Sequence, residues 1–116
     1  MNNDLKLNSD IDNLDYNDCV YFTDWDNERS CEVVKIGCVV DLRHEKDGVW
    51  LEYNNDWYFI ERSRITGVIK EENVIKEYDW LNENANTYQI IVGDYERTRN
   101  EMEECIRVIE ESKRKK

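Results

Sequence analysis

The chain of 116 residues has no proline, one alanine, four glycines and a single histidine. Without proline, the ends of helices and strands fall to glycine, asparagine and aspartate. The one histidine, His44, stands among Arg43, Glu45 and Lys46. That charged setting marks a surface side chain, and no serine or cysteine beside it makes a nucleophile–base pair. A glycine-rich phosphate loop, a nucleophile elbow and paired histidines on a helix are also missing. No apolar run approaches the ~18 residues that argue for a membrane span. The opening residues Met1-Asn2-Asn3-Asp4-Leu5-Lys6 lack the basic head and apolar middle of a secretion signal. These absences predict a non-catalytic protein without a cofactor, working in the cytoplasm, where its four cysteines stay reduced.

What is present is acid. Asp and Glu number 27 against 16 Lys and Arg, a formal charge of −11. Residues 1–30 hold eight acids and two bases, whereas the last four residues, Lys113-Arg114-Lys115-Lys116, are all basic. A field of this sign repels nucleic acid and anionic membranes, and it draws in basic surfaces over ~8–10 Å. Four Trp, seven Tyr and two Phe set the chain apart from disordered acidic sequences, which are poor in aromatics. One folded unit is therefore expected. Residues 1–18 read as an acidic arm or short helix, with Ser9-Asp10 as its cap, and residues 19–116 as a single α+β domain. Thirteen asparagines, with abundant Ile, Lys and Glu, also fit an AT-rich genome, that of a low-GC bacterium or a virus of one.

From Cys19 to Ile69 the pattern is that of strands. Cys19–Thr23 is a short β-type run closed by the polar stretch Asp24–Arg29. Cys31–Leu42 is longer, with Gly37 inside it where a bulge or bend is expected. Asp47-Gly48 is a hairpin signal leading into Val49–Tyr53. Asn54-Asn55-Asp56 turns the chain into Trp57–Ile60, Glu61–Arg64 breaks the run, and Ile65–Ile69 closes it. Short strands joined by tight turns predict a small, strongly curved antiparallel sheet, an SH3-like barrel or half-barrel. An open sheet with a helix on one face is the alternative. Farther on, Val74, Ile75, Tyr78 and Leu81 make a helical stripe. The recurrence of Val68-Ile69-Lys70-Glu71 as Val74-Ile75-Lys76-Glu77 fits a hairpin instead, and helix is the reading adopted. Asn82–Asn86 reads as a loop and Thr87–Val92 as a further strand. Asp94 then caps a C-terminal amphipathic helix whose apolar face is Tyr95, Met102, Cys105, Ile106 and Ile109.

Three groups of residues bear on function. Cys19, Cys31, Cys38 and His44 are the residue types of a zinc site. Gaps of 12, 7 and 6 lack the closely spaced ligand pair that such modules carry, so no metal is expected. In apolar runs these cysteines act as small hydrophobes. The second group is the acidic set Asp10, Asp12, Asp15, Asp18, Asp24, Asp26 and Glu28, with Trp25 among them. Such acids steer a basic partner, and tryptophan is an anchor that interfaces favour. Rigidly spaced carboxylates also imitate DNA phosphates, which present one charge per ~1.7 Å of axis. The third group is Trp50, Tyr53, Trp57, Tyr58 and Phe59. Alternation sends Trp50 and Trp57, or Tyr53 and Tyr58, to whichever face the register sets. Their ordinary role is to fill the core. Their functional role is an exposed surface that takes basic side chains by cation–π contact.

In composition the whole chain resembles small phage-encoded inhibitors of bacterial defence, the anti-CRISPR and anti-restriction proteins. These are often short, acidic and non-enzymatic, and some imitate nucleic acid. The resemblance implies a cytoplasmic protein of a bacterial host that occupies the basic surface of a nucleic-acid-binding protein through residues 10–28. No direct contact with nucleic acid or membrane is expected, and the oligomeric state is left open. The alternative is a small β-barrel adaptor that reads a basic peptide or a partner subunit through Trp50, Tyr53, Trp57 and Tyr58. A nucleic-acid binder using Arg62, Arg64 and the basic tail is a third class, disfavoured by the net charge.

Overall fold

The computed structural model describes residues 13–43 and 46–114. Five strands, β1 (Cys19–Asp26), β2 (Cys31–Asp41), β3 (Gly48–Tyr53), β4 (Asp56–Glu61) and β5 (Ile65–Ile69), form one antiparallel sheet in the order β4-β3-β2-β1-β5. Three helices follow, α1 (Val74–Glu83), α2 (Ala85–Ile91) and α3 (Tyr95–Arg114). Single 3-10 turns, Arg62–Arg64 and Glu71–Asn73, lead into β5 and α1.

Strand alternation produces two cores, one on each face of the sheet. Cys19, Ile36, Cys38 and Ile69 face the helices and meet Val74 and Leu81 of α1 and Met102, Cys105 and Ile109 of α3. Val20, Phe22, Val39, Val49, Leu51, Ile60, Ile65 and Val68 face the other way and pack with Leu14. Each fully buried aliphatic side chain contributes ~1.5–3 kcal/mol. On α3 the stripe Met102, Cys105 and Ile109 recurs at helical spacing, and the ion pairs Arg99–Glu103 and Arg107–Glu111 lie outside it.

Tight turns carry the chain between strands. Asn54 and Asn55 take φ of 54° and 65°, the left-handed pair that suits a two-residue hairpin. Glu104 of α3 accepts both of their N–H groups, at 2.8 and 2.7 Å. Gly48 does not form a turn but begins β3, where a Cβ would stand 2.2 Å from the Ile60 carbonyl oxygen. Gly37 breaks nothing on its β1 side, since the β1–β2 register is continuous. It is needed for close approach instead: a Cβ there would lie 3.2 Å from both the Glu52 carbonyl oxygen and Leu51 Cβ. The irregularity of β2 falls later, between Val39 and Asp41.

The sheet is open, and the SH3-like barrel or half-barrel expected from the strand pattern is overturned. Among the described residues β4 pairs only with β3 and β5 only with β1, so the two edges share no ladder. The Arg62–Arg64 turn joins them at one corner. It is held there by Arg62 N–H on the Asp47 carbonyl (2.9 Å) and by Arg64 on the Thr23 carbonyl and Asp24 carboxylate (2.9 and 2.8 Å). Helices pack on one face, which is the alternative arrangement. The C-terminal helix is as expected.

Two further expectations are corrected. Thr87–Val92 is not a strand but lies in and just after α2, and Asn82–Asn86 is not a loop, because α1 runs to Glu83 and breaks only at Asn84. The neighbours of this segment are α1 and α3, which offer no ladder to a strand. One side chain, Tyr88, anchors it by packing into the helix-side core and meeting Thr98 at 3.3 Å. Gly93, at φ +81°, stops the helix. Asp94 receives the Thr98 N–H on its backbone carbonyl, whereas its carboxylate is taken by Arg29 and Arg97. The expected Ser9-Asp10 helix cap lies outside the described residues. Among those described, no helix is long and apolar enough to cross a membrane.

Candidate functional site

The acidic set does not gather on one face. Asp10 and Asp12 lie outside the described residues. Asp18 is only 1% exposed: its carboxylate accepts the Lys70 ammonium (2.6 Å) and the backbone N–H groups of Asp15 (2.9 Å) and Glu71 (3.0 Å). The Asp15 carboxylate meets the same lysine at 3.1 Å. Asp24 bonds Lys35 (2.9 Å) and Arg64 (2.8 Å). Burial pushes its carboxyl upward, but those two cations and a backbone N–H outweigh it and hold the group below the usual range. Asp26 accepts the N–H groups of Glu28 and Arg29 and so closes the β1–β2 turn. Alternation also separates Trp25 from Asp24 and Asp26, its neighbours in sequence, by sending it to the opposite face of the hairpin. Trp25 and Glu28 are left exposed.

The aromatic group divides by the same rule. Trp50, Trp57 and Phe59 share the helix-side face, and Tyr53 and Tyr58 the other. Trp50 meets Phe59 edge to face at 5.5 Å. Tyr53 is a structural residue. Its ring stands edge-on to Phe22 (5.7 Å) beneath the Lys35 ammonium (5.4 Å), and its hydroxyl donates to Glu101. Burial and the Glu101 carboxylate raise the Tyr53 phenol above its ordinary value. Burial likewise raises Glu101, against the lowering influence of Tyr53, Arg97 and the Ile36 N–H. Trp57, Tyr58 and Phe59, in contrast, are 53%, 47% and 36% exposed on the edge strand β4.

A groove of about 650 Å³ runs between α3 and the helix-side face of β3 and β4, within the ~300–1,000 Å³ typical of ligand sites. Tyr16, Trp57, Val40 and Val108 supply its apolar wall, and Glu52, Glu111 and Arg107 its charge. Arg107 bridges Glu111 at 2.5 Å, Asn55 at 3.0 Å and Glu52 at 3.4 Å. The structure thus joins Trp57 to Tyr16 and Glu52, which the sequence does not place together.

Comparison with protein-family models, curated proteins and solved structures returned no match. The likeness to phage-encoded anti-CRISPR and anti-restriction inhibitors has no relative behind it. It is withdrawn together with the SH3-like barrel. Composition alone carried it, and composition does not reveal that Asp15, Asp18, Asp24 and Asp26 are engaged within the fold.

Two features escaped the sequence. Cys19 and Cys38 face each other across β1 and β2, and Cys105 of α3 closes on them from above, all three buried. The neighbouring Cys105 and Cys19 thiols hold Cys38 below its ordinary value, and Cys19 and Cys105 are themselves raised. Among the described residues no group of three or more His, Cys, Asp or Glu is arranged to hold a metal ion. Cys31 is exposed, and His44 lies outside the described residues. The second feature is a cleft of about 320 Å³ between β2 and the α2–α3 corner, lined by Tyr21, Val34, Tyr88 and Val92 with Arg29, Asp94 and Arg97. Reading Thr87–Val92 as a strand hid it.

Proposed function

We propose that the protein is a non-catalytic binding module for a basic protein segment. Its contact surface is the aromatic end of the sheet, Trp57, Tyr58 and Phe59 of β4 with Trp50 and Tyr16 beside them. The carrying observation is the exposure of three consecutive aromatic side chains on an edge strand. Single exposed apolar residues are ordinary, but three consecutive ones on an edge strand, Trp57 and Phe59 on one face and Tyr58 on the other, mark a contact site. Trp and Tyr are also the residues that most often dominate interface energies. Charge selects the partner: the chain stands at −11, and Glu52, Asp56 and Glu61 surround the aromatics. A lysine or arginine placed over Trp57 gains cation–π attraction as well. Docking through residues 10–28 has less support, since Asp15, Asp18, Asp24 and Asp26 already hold internal partners.

The test is a fluorescence titration against an array of lysine- and arginine-containing peptides and their glutamate counterparts. Basic peptides should bind, more weakly as salt rises. Trp57→Ala should weaken binding roughly tenfold or more while leaving thermal unfolding nearly unchanged. Absence of binding to any basic peptide, or affinity that survives both Trp57→Ala and Tyr58→Ala, refutes the proposal.

A further inference from the structure

We infer that the basic partner adds a strand to β4, pairing main chain to main chain along the open edge, with basic residues meeting Asp56 and Glu61. This rests on the aromatic end of the sheet being the contact surface, and it supplies the mode of contact.

Hairpin geometry sets which backbone groups are free. The two-residue turn Asn54-Asn55 makes Tyr53 and Asp56 the closing hydrogen-bonded pair. Bonded and non-bonded pairs alternate from there, so Tyr58 and Ile60 bond inward to β3, whereas Trp57 and Phe59 turn their N–H and C=O outward. The Trp57 N–H fits this assignment, because it donates to its neighbour's carboxylate, Asp56 Oδ1, at 2.9 Å. On the outer side of Phe59 no strand or side chain among the described residues takes either group.

Protein edges are ordinarily defended by lysine, proline, a bulge or shortness. β4 has no lysine, proline or bulge: it is six residues long, its register with β3 is unbroken from Gly48↔Glu61 to Tyr53↔Asp56, and its charges, Asp56 and Glu61, stand only at its two ends. The other edge, β5, has five residues, four of them buried, and a register break against β1.

The occupant follows from charge. A second copy would bring the same two acids, Asp56 and Glu61, to the edge, on a chain of the same charge. Each copy carries −11, and two such chains repel one another. A foreign strand with lysine or arginine opposite Asp56 and opposite Glu61 meets each acid with the opposite charge. Asp56 and Glu61 are five residues apart and so lie on opposite faces. The partner therefore needs two basic residues five apart, with β-branched or aromatic residues between them to cover Tyr58 and Phe59.

The probe is the capped peptide Gly-Lys-Val-Thr-Ile-Thr-Lys-Gly with two N-methylated isomers, one methylated at Val and Ile, the other at both Thr. Only one set of amides faces β4 in a paired strand. That isomer should lose roughly tenfold or more in affinity while the other binds within about twofold of the parent. In the complex the Phe59 amide proton should exchange roughly tenfold more slowly, and that of Tyr58, already bonded to β3, should change little. Equal binding of both isomers, or an unprotected Phe59 amide, overturns strand addition while leaving the aromatic contact surface standing. If the parent peptide and the basic array both fail to bind, the contact surface itself falls, and strand addition with it.

Discussion

Replacing Lys70 by methionine isolates the value of the cation that holds the N-terminal segment to the sheet. The Lys70 ammonium donates to Asp18 (2.6 Å), the Asn13 carbonyl (2.6 Å) and Asp15 (3.1 Å). Methionine keeps most of the stem and its packing, so the main loss is charge. What remains is the buried Asp18 carboxylate, supported only by the N–H groups of Asp15 and Glu71. Removing one partner of a buried ion pair costs ~3–5 kcal/mol. Because two hydrogen bonds survive, the lower end, about 3 kcal/mol, is expected. An unfolding entropy of ~2.1 cal/mol/K per residue converts that to a Tm lower by about 12 °C. Urea and thermal unfolding followed by tryptophan fluorescence at neutral pH would measure both quantities. Adding Asp18→Asn removes the orphaned charge and should restore about 1 kcal/mol or more. Burial lowers the Lys70 ammonium, but Asp18 and Asp15 outweigh it and hold the group above the ordinary lysine value. Its contribution is therefore complete below the unfolded value and is lost as pH rises through the folded one, so parent and variant converge in alkali. A Lys70→Met loss under about 1 kcal/mol, or a double variant no more stable than the single, would refute this account.

Two other outcomes are open to simple assays. A soluble disulfide reagent should titrate one thiol, Cys31, in the native protein and all four after denaturation; a second fast-reacting thiol would mean that Cys19, Cys38 and Cys105 are not sealed. Glu101 is held above the usual carboxylate range by burial, so the folded state favours its protonated form. Its relative contribution is then greatest in acid and is lost as pH rises through the folded value. Unfolding free energies measured from about pH 4 to 7 should shift in favour of Glu101→Gln over the parent, and a pH-independent difference would contradict the burial argument.

What could be read in the sequence was local. Asn54-Asn55 announces its hairpin because both residues tolerate positive φ, and Ile65–Ile69 stands out between a polar break and a lysine. Met102, Cys105 and Ile109 mark the buried stripe of α3 by spacing alone. Thr87–Val92 misleads because its β-branched residues favour a strand in isolation, and only the helices on either side remove that option. Whether the sheet closes depends on a β4–β5 ladder between strands that no local signal relates. The burial of Asp18 depends on Lys70, 52 residues away. The aromatic cluster was legible as a group. Its exposure was not, because that follows from β4 being an edge, a property of strand order rather than of any residue in it.

The position of β1 has a consequence for how the chain is made. Its Cys19 pairs with Cys38 on one side and with Ile69 on the other, and the face it shares with β2 is covered by the last helix. Synthesis at ~5–20 residues per second delivers the twenty residues of α3 over roughly one to four seconds. Hairpins form in ~1–10 μs, so the β1–β4 meander has ample time to assemble on the ribosome before that helix exists. Throughout this interval Ile36, Cys38 and Cys19 have no Met102, Cys105 or Ile109 to lie against. The nascent chain therefore shows an apolar, thiol-bearing surface that α3 covers in the finished fold.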